Sequence, residues 1–122
     1  MSKSKERIKQ TGEVFTPTEL VNNLLDQIPE DKFNNPESKF LDNSAGDGNF
    51  LVCLKQKLLD CGHSEDHILN DMMYAVELME DNHKILCERI GVTPDHPHYV
   101  CANGLEYDYS FGELQNLDKF FL

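Results

Sequence analysis

The chain has 122 residues, enough for one domain around one hydrophobic core. Its 22 acids against 11 bases give a net charge of −11, which argues against a surface that grips nucleic-acid phosphates by itself. No apolar stretch is long enough to cross a membrane, the polar start from Met1 to Arg7 is not a secretory leader, and the four scattered cysteines form no Cys-x-x-Cys pair, which points to reduced thiols in the cytoplasm.

Residues 1–11 hold the cluster Lys3 to Lys9 and read as a flexible arm. Thr16-Pro17-Thr18-Glu19 then predicts a helix start, with Thr16 as N-cap, Pro17 at the first helical position and Glu19 closing the capping box. Leu20, Val21, Leu24, Leu25 and Ile28 recur at helical spacing, and Pro29 to Ser38 predicts a polar connector. Lys39 to Asp42 predicts a short strand, and Asn43 to Gly48 a turn of small residues. From Asn49 a helix carries Phe50, Leu51, Leu54 and Leu58 on one face, and Gly62 closes it. Ser64 caps a short helical stretch to Leu69. Strands are predicted at Tyr74–Glu77, Tyr99–Cys101 and Leu117–Leu122, with a helix from about Asp81 to Ile90 closed by Gly91.

Strands alternating with helices predict an α/β fold, a Rossmann-like parallel sheet with flanking helices that ends in its fourth strand. In such a sheet ligands bind beyond the carboxyl ends of the strands. The first strand ends in Asp42-Asn43-Ser44-Ala45-Gly46-Asp47-Gly48-Asn49-Phe50, where Gly46 and Gly48 let a ligand approach the backbone. A dinucleotide site needs a third glycine where Leu51 stands, and Asp42 and Asp47 would repel a pyrophosphate. The two acids suit a cofactor that carries a cation, such as the ammonium of a methionine moiety. Glu77 ends the second strand, where a carboxylate takes hydrogen bonds from ribose hydroxyls. Asn103-Gly104 follows the third, and an Asn there can accept from an adenine amino group while donating elsewhere. Taken singly, Glu77 reads as a solvated acid and Asn103-Gly104 as a plain turn; together they follow the length of one nucleoside.

These motifs resemble class I S-adenosylmethionine-dependent methyltransferases, in particular the adenine-specific DNA methyltransferases. Gly12 to Pro17 with Leu20-Val21 is similar to that family's leading motif, Asp42 to Phe50 to its glycine motif, Tyr74 to Leu78 to its ribose motif, and Asn103-Gly104-Leu105 to its adenine motif. The resemblance implies that residues 12–122 are part of an S-adenosylmethionine-binding domain. Its cofactor contacts would come from Phe15, Thr16, Asp42, Ser44, Ala45, Gly46, Asp47, Gly48, Phe50, Glu77, Leu78, Asn103 and Gly104. The family has Pro where Asn43 stands and Asp where Asn103 stands, and the second change removes a carboxylate from the adenine contact.

The family's catalytic Asn/Asp-Pro-Pro-Tyr/Phe loop, which holds and stacks on the flipped adenine, does not occur in the 122 residues. The resemblance therefore implies cofactor binding without methyl transfer by this polypeptide alone, and DNA contact only through another segment or partner. The apolar tail Phe120-Phe121-Leu122 predicts an open strand edge that a second copy or a complementing chain covers. Two rival readings remain: a small acidic decoy for a DNA-binding or methyltransferase partner, and a remnant that senses or sequesters the cofactor. Cys61, His63 and His67, like His96, His98 and Cys101, lack the paired spacing of a zinc site, so no metal is expected and the histidines are placed in loops and at the surface.

Overall fold

Alternation along three short strands divides the protein into two apolar layers. A computed structural model describes residues 17–112. Phe40–Asp42 (β1), Met73–Glu77 (β2) and Tyr99–Cys101 (β3) form a parallel sheet in the order β1-β2-β3. Phe40 pairs with Met73, and Ala75 pairs with Tyr99. Phe40, Met73, Ala75 and Tyr99 turn to one face, and Leu41, Tyr74, Val76 and Val100 to the other, as the two-residue period of a strand demands. Strand β2 lies between the others and is buried at all five positions, the expected state of a central parallel strand.

The first face carries the helices: Thr18–Asp26 (α1), Glu30–Asn34 (α2), Asn49–Asp60 (α3), Glu65–His67 (α4) and Glu80–Ile90 (α5). Val21, Leu25, Leu51, Leu54, Leu58, Leu86, Cys87 and Ile90 fill the space between helices and sheet. Ser64 caps α4 as its position predicts, its hydroxyl accepting from the His67 N–H at 3.1 Å. The stretch runs on as a π-helical turn, Ile68–Met72, whose Ile68, Leu69 and Met72 are buried.

Several boundaries differ from the sequence reading. Pro17 precedes α1 as its cap, in an extended conformation, instead of occupying the first helical position. On α1 only Val21 and Leu25 are buried, whereas Leu20 and Leu24 are 48% and 42% exposed. The polar connector contains α2, because Phe33 drops into the core and stacks on Phe40 with ring centroids 5.7 Å apart. Nor are all histidines peripheral. His83 is buried and donates through Nε2 to the Tyr99 carbonyl at 2.6 Å, and buried His98 stacks on Tyr74 at 4.1 Å. The arm at residues 1–11 and the strand expected at Leu117–Leu122 lie outside the described residues.

The second face of the sheet is covered by a segment that the sequence reading left unassigned. After β3 the chain folds back under the sheet, and Tyr107, Tyr109 and Phe111 pack against Tyr74, Val76, Leu41 and Val100. Phe111 meets Tyr74 edge-on at 5.1 Å and is only 1% exposed. Its replacement by Ala should therefore lower the unfolding free energy by about 3–4 kcal/mol in urea denaturation, the usual cost of deleting a buried aromatic ring.

Candidate functional site

The turn after β1 is latched to the end of β2 by two hydrogen bonds. Ala45 N–H donates to the Val76 carbonyl at 3.2 Å, and Gly46 N–H donates to Glu77 Oε1 at 2.8 Å. Gly48 N–H then returns to the Ala45 carbonyl at 3.0 Å and leads into α3. Beyond β2, Glu77 Oε2 accepts from Met79 N–H at 2.9 Å and from Asn82 Nδ2 at 3.4 Å. Glu77 is thus a clasp between two loops, only 6% exposed yet at the wall of a cleft. A carboxylate has about four acceptor sites, so three internal donors leave capacity for one more partner.

That cleft has a volume of about 450 Å³ and is lined by Asn43, Ser44, Glu77, Leu78, Asn103, Gly104 and Leu105. All three strand ends contribute to it, at the sheet edge where the sequence reading placed a ligand. Of the predicted contacts, Ser44, Glu77, Leu78, Asn103 and Gly104 meet there. Leu78 and Leu105 stand 52% and 96% exposed on its rim.

Other predicted residues have different surroundings. Ala45 and Gly46 are buried in the latched turn. Gly48 has φ +93°, and a Cβ on it would lie 2.8 Å from Leu86 Cβ, so its missing side chain lets α5 approach. Phe50 packs against the main core. Asp47 faces Arg89 of α5: its Oδ1 is 3.6 Å from Nη1, and Arg89 also donates to the Asp47 carbonyl and to Asn49 Oδ1. Phe15 and Thr16 lie outside the described residues.

Asp42 is half-buried at the end of β1, and its Oδ1 accepts from Ser44 N–H at 3.1 Å. Burial pushes its carboxyl above the ordinary aspartate range; the Ser44 hydrogen bond opposes that, and the Glu77 carboxylate adds to it. The folded state therefore holds a proton on Asp42 at pH values where the unfolded chain has lost it. Asp42 thus makes stability fall as pH rises from the unfolded value, near 3.8, through the folded one. Urea midpoints of wild type and Asp42→Asn measured across that window should diverge, with the variant increasingly favoured as pH rises. Equal pH slopes would contradict this account.

Sequence reasoning missed Asn43 as a lining residue, Asn82 behind Glu77, and Tyr109, whose hydroxyl donates to the Gly104 carbonyl. Asn43 lies inside the glycine motif but was given no contact there, and Asn82 and Tyr109 lie in no motif. Gly104, which the sequence does single out, would carry a Cβ 2.8 Å from the Asn43 carbonyl, so the loops after β1 and β3 meet only across a glycine. Among the described residues no three His, Cys, Asp or Glu side chains gather as metal ligands. No helix there is long and apolar enough to cross a membrane.

Compared with protein-family models, the chain matches N-6 DNA Methylase over residues 1–88, a span that takes in β1, the glycine turn, β2 and most of α5. No curated protein matches it.

Proposed function

The chain belongs to the N-6 DNA methylase family, and from that premise we propose that the cleft at the three strand ends binds S-adenosylmethionine for methylation of adenine in DNA. The observation that carries this reading is the meeting of the β1, β2 and β3 ends in one cleft, with Glu77 at its wall and Asp42 beneath the glycine turn. A volume of about 450 Å³ falls within the range of small-molecule sites.

The residues present fit the cofactor. Asp42 and Glu77 place carboxylate charge near one another, so a ligand bringing positive charge relieves their repulsion where a pyrophosphate would increase it. Glu77 is the residue for the ribose hydroxyls, through the acceptor capacity its internal donors leave. Leu78 and Leu105 offer apolar surface to the faces of a base, and Asn103 offers it a polar contact. When bound, the cofactor supplies a methyl group activated on a sulfonium. The chain's own part is to hold and orient it; the Asn-Pro-Pro-Tyr function belongs to residues other than these 122. With a net charge of −11, DNA contact belongs there too.

Calorimetric titration of the 122-residue chain with S-adenosylmethionine tests the reading. Saturable one-to-one binding that weakens at least tenfold in Asp42→Ala is expected. Absence of binding at millimolar cofactor would sink the proposal and favour an acidic decoy that acts on a protein partner.

A further inference from the structure

The turn after β3 fixes the orientation of the Asn103 side chain. Its Oδ1 accepts from Leu105 N–H at 2.9 Å. Only the oxygen of an amide side chain accepts from an N–H, so this bond sets the orientation of the group. The Asn103 backbone carbonyl is also occupied, by Glu106 N–H at 3.0 Å and Tyr107 N–H at 2.9 Å. The amide NH2 has no acceptor among the described residues. Oδ1 has one of its two lone pairs taken, whereas the NH2 is the end of the side chain with no partner, and Asn103 lines the cleft.

The turn is also held in place from outside. Gly104 sits against the Asn43 carbonyl with no room for a Cβ, and the Tyr109 hydroxyl donates to the Gly104 carbonyl. Tyr109 itself has φ +58°, a left-handed backbone unusual for a residue with a side chain. Its ring packs edge-on against Tyr107 at 5.3 Å and Phe111 at 5.9 Å. The donor is therefore set before any ligand arrives, and contacts fixed in advance lose less to ordering on binding.

Resting on the cofactor reading above, we infer that Asn103 reads the base of the bound nucleoside as a hydrogen-bond donor, giving its amide NH2 to a ring nitrogen. This is the reverse of accepting from the 6-amino group: an NH2 set against an amino group would oppose donor to donor, whereas ring nitrogens are acceptors. Tyr109 and Gly104 act as positioning residues for this contact.

Calorimetry of the 122-residue chain with S-adenosylhomocysteine and four base analogues tests the inference: the 6-desamino compound and the 1-deaza, 3-deaza and 7-deaza compounds. One deaza analogue should bind about five- to tenfold more weakly, the worth of one neutral hydrogen bond, while the desamino compound binds like the parent. In Asn103→Asp the oxygen that takes Leu105 N–H is kept, so the melting midpoint stays at the wild-type value. The carboxylate has no donor, so the deaza penalty disappears. A desamino penalty in the wild-type chain with no deaza penalty would overturn the donor role alone. Failure of the wild-type chain to bind S-adenosylhomocysteine at all overturns the cofactor reading beneath it.

Discussion

Replacing Glu77 by Gln should cost the chain both its cofactor and about 3 kcal/mol of stability. The two carboxylate oxygens each accept from a backbone donor, Gly46 N–H on one side and Met79 N–H on the other. Gln keeps one acceptor and turns the other end into an NH2, which faces an N–H in a site only 6% exposed. One charge-assisted hydrogen bond is lost and a buried donor is left facing a donor, two penalties of roughly 1–3 kcal/mol each. The released turn no longer holds the cleft wall, so cofactor affinity should fall by well over tenfold. Urea denaturation and calorimetry on the same preparation read the two effects. A variant as stable as wild type would show that the clasp carries no weight.

Gly48→Ala should destabilise by a similar amount, about 3 kcal/mol, through a different contact. At φ +93° a residue with a Cβ is strained on its own backbone. Its Cβ would also meet Leu86 Cβ at 2.8 Å and Leu86 Cα at 3.2 Å, so α5 must move away from α3. Both atoms survive in Leu86→Ala, and that substitution should bring no relief. The double variant Gly48→Ala with Leu86→Ala should lose at least the sum of the single losses. Recovery of stability in the double variant would place the clash elsewhere.

Much of the scaffold was legible because it is written locally. The three strands end where short apolar runs give way to small or polar residues, and α3 and α5 close at Gly62 and Gly91, both with left-handed φ. The glycine turn also stood out, from its composition. What it does was harder to read: Gly48 serves helix packing, and Asp47 has its charge met by Arg89, a partner far along the chain. Glu77 looked like an acid waiting for a ligand, yet it is first a clasp. Its donors at Gly46 and Asn82 belong to the turn after β1 and to α5, and no spacing rule joins them. Tyr107, Tyr109 and Phe111 recur at every second residue, the period of a strand, yet they form none, and their partners exist only once the sheet does. His83 and His98 were misplaced for the reverse reason: polar side chains in polar stretches, buried because backbone carbonyls of Tyr99 and Met73 stand ready for them.

The central position of β2 has a kinetic consequence. Phe40 must find Met73 and Ala75 must find Tyr99, each across an intervening helix, and a parallel pair has no tight hairpin to start it. Closing such loops precedes any reward from pairing, which slows folding. The cleft draws on both pairings, so it is among the last features to assemble. Fragments ending before β3 should therefore have no partial affinity, and mutations at the strand ends should mainly speed unfolding while leaving the refolding rate nearly unchanged.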